Sequence, residues 1–454
     1  MRRHVPAPDY LRATRFLYTL EHGSVKLGLE RIRAAIQASG HPERRYATVH
    51  VAGTNGKGST CALFASVLEA AGHRTGLLTS PHLLEYNERV RIGGAVLPER
   101  EVVRWVEERR PLIRRLGLSY FEATTLLAFE AFARHGVEIA VIEVGMGGRL
   151  DATNVVDPVL TIVTGIDLDH TGSLGRTRER IAAEKAGIMK PGVPLLLGPC
   201  RRSVRRVFER HGAALGAPVV ALEDRVALTA VAPEAGGTRF AWRRADGSRG
   251  TLRVPLRGAH QAANALLALE AARLLARRGW PIPVAARRRG IERARWPGRF
   301  QVERARGRPT VVFDVAHNPQ GAAVVRRTWR AWLPEAKSPA LVIGMLGDKD
   351  QLGYLRRLRG ISRAVHLIPL DSPRAGSLPA LARAARRAGL EPRLHRGIAS
   401  AWGAARRDHD AVLIAGSFLT VEAGMRLLGV PLVRRLFGGT PARRRRKGRA
   451  RRHG

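Results

Sequence analysis

Between an apolar run at 46–52 and a helical pattern at 59–71 lies the stretch His50-Val51-Ala52-Gly53-Thr54-Asn55-Gly56-Lys57-Gly58-Ser59-Thr60. A buried strand followed at once by a glycine turn and a helix is one unit of a parallel α/β sheet. Leu63, Val67, Leu68 and Ala71 recur at helical spacing, and Gly72 stops the run. Glycines in the turn let backbone N–H groups approach an anion, the helix start adds the positive end of its dipole, and Lys57 adds a formal charge. The expected ligand is a nucleoside triphosphate. The usual P-loop sets its first glycine further from Gly-Lys-Ser/Thr. Here only Thr54 and Asn55 intervene, and Gly58 follows the lysine.

At 454 residues the chain exceeds one ordinary core and implies two or three domains. It has no apolar run of about 18 residues, and its start lacks a signal-peptide core, so a cytoplasmic location and no membrane contact are expected. Cys61 and Cys200 are too few for a disulfide framework. The net charge of +40 comes mostly from arginine spread along the whole chain, which points to base composition rather than to a binding face. The end differs: 443–452 holds eight basic residues in ten, read as a disordered tail that touches RNA or other polyanions.

Apolar runs at 46–52, 75–79, 139–144, 159–165 and 194–198, with helical stretches between them, predict a parallel sheet. A segment at 219–256 reads as a small β-rich layer on that domain. Pro281, Pro283, Pro297 and Gly298 interrupt a basic helix, which places a domain boundary there. Runs at 310–315, 340–345, 364–369 and 411–415 then predict a smaller, doubly wound domain. The division is 1–295, 296–440 and a tail at 441–454, and a monomer is expected. Ligands of open α/β sheets sit beyond the carboxyl ends of the strands. Ser80, Glu143, Asp169 and His170 follow those ends, so a hydroxyl, a carboxylate and an imidazole converge where Lys57 holds phosphate. Oxygen donors of this kind suit Mg²⁺ bridging protein and triphosphate. A helix at 178–186 carries Lys185 close by. Lysine is rare here: Lys57, Lys185, Lys190 and Lys349 are four of only seven, which hints at a need for a compact or deprotonatable amine.

Taken together, these segments resemble the folylpolyglutamate synthase and dihydrofolate synthase family of Mur-type ATP-dependent ligases. The resemblance runs from about Phe16 to Gly424. It is carried by KLGLERI at 26–32, the 53–60 loop, SPHLLEYNERVR at 80–91, Tyr120-Phe121-Glu122, 143–154, Asp169-His170, Glu184-Lys185-Ala186-Gly187, PGRF at 297–300, FDVAHNP at 313–319 and GMLGDKD at 344–350. It implies an N-terminal P-loop Mur-ligase-type ATPase domain and a smaller C-terminal Rossmann-like α/β domain, closing over ATP about a hinge near 296–299. The implied reaction joins L-glutamate to dihydropteroate or to the glutamate tail of a folate through an acyl phosphate, and both activities are expected.

By the same resemblance Gly56, Lys57, Gly58 and Ser59 hold the triphosphate. Gln261, Asn264, Arg299, Asp314, His317 and Asn318 contact the nucleotide. Ser80, Glu143 and His170 ligate Mg²⁺, of which two ions are implied. Lys185 becomes carbamylated and helps seat the second ion; with Lys57, Glu143 and His170 it forms the catalytic set. Leu27, Gly28, Leu29, Ser119, Tyr120, Phe121, Glu122, Leu150, Asp151, Ala152 and Ser417 meet the pterin substrate or glutamate. A Mur-type cell-wall peptide ligase shares this chemistry with another acceptor. An RNA-binding P-loop ATPase would use the same turn and the basic charge.

Overall fold

Strands Ala47–Ala52, Ile139–Glu143 and Leu160–Val163 are buried almost throughout, as a sheet covered by helices on both faces requires. In the computed structural model, which describes residues 6–20 and 28–435, they form the middle of an eight-stranded sheet. Its order is Ala95–Val96, Val90–Ile92, Thr75–Leu78, Ile139–Glu143, Ala47–Ala52, Leu160–Val163, Leu195–Leu197 and Val219–Ala221. The first two strands run antiparallel at one edge, and the rest are parallel. Register sets Val51 beside Glu143 and Ala52 beside Val163, so the phosphate turn and Glu143 leave the sheet at one rim.

Helix Lys57–Ala70 is apolar nearly all round because it is covered on every side. The sheet lies under it, and helices Ala259–Arg277 and Val284–Arg293 pack against it. Ser66 Oγ donates to Gly290 O at 2.7 Å across the last of these contacts. Pro281 and Pro283 precede helix Val284–Arg293 and Pro297 follows it, so the prolines bound this basic helix rather than interrupt it.

The expected β layer divides in two. Val219–Ala221 joins the large sheet as its edge strand. Val226–Glu234, Gly237–Arg244 and Arg249–Val254 form a separate antiparallel sheet whose inner residues Phe240, Leu252 and Val254 enter the main core. The second α/β unit has six strands in the order Gln301–Glu303, Thr310–Asp314, Ala411–Ala415, Pro339–Ile343, Ala364–Leu367 and Glu391–Leu394, all parallel except the first.

The two units are stitched together by the segment that follows Thr75–Leu78. Leu83 and Leu84 leave the first sheet and bury against Phe313, Val315 and Ile414 of the second unit. Arg426 of helix Phe418–Leu428 donates to the Leu84 carbonyl. In return, Val433 and Arg434 lie along the antiparallel edge, where Arg91 Nη1 donates to Val433 O at 3.0 Å and Val96 N–H to Arg434 O at 3.1 Å. The strand ends of both sheets therefore border one cleft. Leu27 and the basic tail at 441–454 lie outside the described residues. Among those that are described, no helix is long and apolar enough to cross a membrane.

Candidate active site

The phosphate turn is shaped before any ligand arrives. Gly56 caps helix Lys57–Ala70 with φ 88°, and a Cβ there would lie 2.7 Å from Asn264 Oδ1, so any side chain would be strained and would push Asn264 aside. No side chain caps this helix start, which leaves its first N–H groups for an anion. Thr164 Oγ1 donates to Asn55 O at 2.7 Å and pins the outer limb of the turn. Lys57 Nζ donates back to Gly53 O at 3.1 Å within the same loop.

Glu143 ends the central strand beside this turn. It is 4% exposed and accepts the Ser80 N–H at 3.1 Å. Burial raises its carboxyl above the usual range, against the pull of the Lys57 ammonium and the Ser80 N–H. His170, at φ 50°, opens a one-turn helix. Burial, reinforced by the nearby Lys349 cation, lowers its imidazole to about 4, so the ring is neutral at neutral pH. Lys185, in helix Arg178–Ala186, is 4% exposed and among the described residues reaches only Gly147 O, at 3.4 Å. Burial, aided by Lys57, lowers its amine to about 7. Among the described residues no three His, Cys, Asp or Glu side chains form a metal cage. A hydroxyl, one buried carboxylate and a neutral imidazole instead suit an Mg²⁺ ion whose remaining ligands are triphosphate and water.

On the other side of Glu143 the cleft is flatter and more apolar. Ser119 and Glu122 cap helix Tyr120–Arg134 reciprocally: Glu122 Oε2 accepts the Ser119 N–H at 2.8 Å and Arg31 Nε at 3.2 Å. Glu122 is 3% exposed, and among the described residues its Oε1 has no hydrogen-bond partner. Phe121 is pressed onto the Gly145 backbone, where a Cβ would lie 2.6 Å from its Cζ. Asp151 is more fully engaged. It accepts the Met146 N–H at 2.8 Å, the Thr153 N–H at 3.0 Å and the Thr153 hydroxyl at 2.5 Å. Thr153 Oγ1 also lies 2.8 Å from Nε2 of the fully buried His50.

The second unit supplies the facing wall. Asp314 ends strand Thr310–Asp314, and its oxygens accept the Phe300 and Ala316 N–H groups, both at 2.8 Å. The Arg299 guanidinium lies over the Phe418 ring at 5.3 Å. His317 Nδ1 is 3.0 Å from Val315 O, and Ser417 caps helix Phe418–Leu428.

Together these groups line one cleft of about 1120 Å³, more than the ~300–1,000 Å³ of a single small-molecule site, which gives room for a nucleotide and a second substrate. Gly28, Gly56–Ser59, Ser80, Glu143, Leu150–Ala152, His170 and Lys185 all border it, as do Ser119–Glu122 and, beyond them, Gln261, Asn264, Arg299, Asp314, His317 and Ser417. Leu29 packs into the core. Asn318 does not line the cleft: its Oδ1 caps helix Pro319–Trp332 by accepting Gly321 N–H, while its Nδ2 donates to Asn55 Oδ1 of the phosphate turn. Sequence reasoning assigned no role to Tyr18, His82 and Arg89, which also border the cleft. Arg89 Nε donates to His82 Nδ1 at 2.9 Å and its guanidinium lies 5.0 Å from the Tyr120 ring, on which Tyr18 stacks. The signal available was that His82 and Arg89 lie within the 80–91 motif.

Residues 51–272 match the Mur ligase middle domain, and 298–418 match the Mur ligase glutamate ligase domain. The dihydrofolate synthase/folylpolyglutamate synthase of Escherichia coli K12 is 37% identical over 91% of this chain and 94% of its own, and the Bacillus subtilis one is 35% identical over 77% and 83%. Among solved structures, Mycobacterium tuberculosis folylpolyglutamate synthase complexed with ADP and AMPPCP superposes with TM-score 0.84 at 32% identity, covering 93% of this chain and 99% of that one. The Escherichia coli protein in complex with DHPP and ADP gives 0.80 at 34%, covering 94% and 99%.

Two α/β units meeting over a glycine turn and a buried strand-end carboxylate are the architecture of a Mur ligase. Within that class, the chain belongs to the dihydrofolate synthase/folylpolyglutamate synthase family, and it is a ligase.

Proposed function

We propose that this enzyme uses ATP to join L-glutamate both to dihydropteroate and to the glutamate tail of a reduced folate. The carrying observation is the single cleft that joins an uncapped helix start, Glu143 and Lys185 to the flat Phe121–Glu122 surface. Phe121 stacks on the pterin ring, and the free Oε1 of Glu122 accepts from a ring N–H. The N–H groups of Gly56–Ser59 and the Lys57 ammonium hold the triphosphate, with Gln261, Asn264, Arg299, Asp314 and His317 around the nucleotide. The substrate carboxylate attacks the γ-phosphorus, ADP leaves and an acyl phosphate forms. The glutamate amine, near Ser417, then displaces phosphate and loses a proton as the amide forms. Positioning and charge neutralisation supply most of the catalysis, because the transferring phosphoryl group asks little covalent chemistry of the protein.

Ser80, Glu143 and His170 hold one Mg²⁺. Lys185, carbamylated while its amine is neutral, helps hold a second. When bound, the ions neutralise charge on the phosphates. The two units, 1–295 and 296–440, close over ATP about 296–299, and the enzyme acts as a cytoplasmic monomer. The tail at 441–454 adds weak affinity for polyanions.

Phosphate release with ATP and glutamate, measured against a panel of acceptors, tests the assignment. Turnover with dihydropteroate and with tetrahydrofolate is the expected result. Turnover with tetrahydrofolate alone removes the first activity, and turnover only with a nucleotide-sugar peptide overturns the reading.

A further inference from the structure

One contact between the two units differs from the others. Asp169 follows strand Leu160–Val163 of the first unit, and Lys349 follows strand Pro339–Ile343 of the second. Lys349 Nζ donates to Asp169 Oδ1 at 2.8 Å, and the two side chains are only 8% and 12% exposed. The same Oδ1 also accepts the His170 N–H at 2.9 Å, which fixes the carboxylate on its own loop. Oδ2 accepts Asn318 Nδ2 at 3.1 Å and faces His317 Nε2 at 3.7 Å. Asn318 Nδ2 also reaches Asn55 Oδ1 of the phosphate turn at 3.2 Å, and Asn55 Nδ2 donates to Gln320. A single carboxylate from the first unit thus gathers a cation, an amide and an imidazole from the second, directly above the phosphate turn. The other ion pairs of the second unit are of another kind: Arg363–Glu391, for example, is 65% and 67% exposed.

We propose that Asp169 and Lys349 form an ionic latch that holds the two units in closed register, so that both act as positioning residues for the cleft. Exposed pairs add little because water and salt screen them. A nearly buried pair behaves differently: removing either partner leaves an uncompensated charge in the closed state, and opening relieves it by hydrating that charge. The asymmetry favours closure only while both partners are present. The kinetic part of this inference rests on the reading of the cleft as the ATP site; the distance part does not.

The experiment uses the full chain in a Cys200→Ser background, with nitroxide labels at Arg210→Cys and Arg386→Cys, exposed helix positions, one on each unit. Distances are read without nucleotide. The latched enzyme should give one narrow distribution. Asp169→Asn and Lys349→Gln should each add a second, displaced population, increasing the open fraction by about a hundredfold, the scale set by unpairing a buried charge. The double variant should be no more open than the worse single, because the two changes remove one interaction. Lys349→Arg, which keeps the charge, should stay closed, and so should the control Arg363→Ala. Should Lys349→Gln fail to fold, Asp169→Asn set against Lys349→Arg decides. In steady state the single variants should raise KM for ATP about tenfold while kcat at saturating ATP falls less than about threefold, since ATP bound to both units restores closure.

Unchanged distances in both single variants, or additive effects in the double, overturn the latch. A closed enzyme that turns over no folate acceptor would overturn the functional reading and leave the latch standing.

Discussion

Glu143 and Asp314 occupy equivalent places in the two α/β units. Each ends a buried parallel strand, each is under a tenth exposed, and burial raises both carboxyl groups above the usual range. Their hydrogen bonding differs. Asp314 spends its two oxygens on the Phe300 and Ala316 N–H groups, which hold the turns around it, whereas Glu143 accepts one backbone N–H and turns the rest of its charge toward Lys57. Of these two strand-end carboxylates, Asp314 is the more committed to the backbone, and Glu143 keeps more of its capacity for a ligand.

The largest effect should separate the two. Glu143→Gln should reduce kcat by about 10³-fold or more, on the scale of deleting a preorganised electrostatic contact. It should leave stability unchanged or higher. A carboxyl with a raised folded pKa favours the folded state at low pH and loses that contribution as pH rises through the folded value, so removing the charge relieves the protein at neutral pH. A variant that melts early would show that Glu143 chiefly holds the fold.

Lys185 comes next. Lys185→Ala should lower kcat by about a hundredfold, and undiminished turnover would remove the carbamate assignment. The pH dependence has a definite sign. The amine is lowered to about 7, so the neutral form that reacts with CO₂ gains population as pH rises through that value. Carbamate trapped and detected by mass spectrometry should therefore increase from pH 6 to pH 8. An ordinary surface lysine would trap almost none across that range.

Asp314→Asn should show the opposite pattern to Glu143→Gln. One accepted N–H would face an amide N–H₂, and the cost should be about 1–3 kcal/mol in urea unfolding. A loss of turnover with full stability would instead show that the place of Asp314 beside the nucleotide outweighs its backbone contacts.

The sequence disclosed much of this comparison because both carboxylates end apolar runs, and in an open sheet an apolar run predicts a rim position. The inner strands were legible for the same reason. Val90–Ile92, Ala95–Val96, Gln301–Glu303 and Glu391–Leu394 were not, since each is short, lies at or near a sheet edge and carries little apolar pattern. Val219–Ala221 joins the large sheet through a register that three residues cannot advertise. Leu29 neighbours cleft residues along the chain, yet its side chain enters the core. The rarity of lysine did single out Lys349, but its partner is 180 positions away and in another unit. No local pattern carries that information.

Gly58 should give the smallest effect, and it tests how much room Glu143 needs. It follows Lys57 in the first turn of the helix, where alanine would ordinarily stabilise by about 0.5–1 kcal/mol. An added Cβ would lie 3.2 Å from Trp296 Cζ2 and 3.5 Å from Glu143 Oε2, tight against the ring and at ordinary contact with the carboxylate. Trp296 must yield by a few tenths of an ångström, which offsets most of the helix gain. Gly58→Ala should therefore melt close to the parent while KM for ATP rises about threefold, because the methyl crowds the side of the turn where Glu143 faces Lys57. If KM is unchanged, the space beside Glu143 is not reserved for the nucleotide. Its single backbone contact would then reflect a looser strand end rather than a carboxylate held ready.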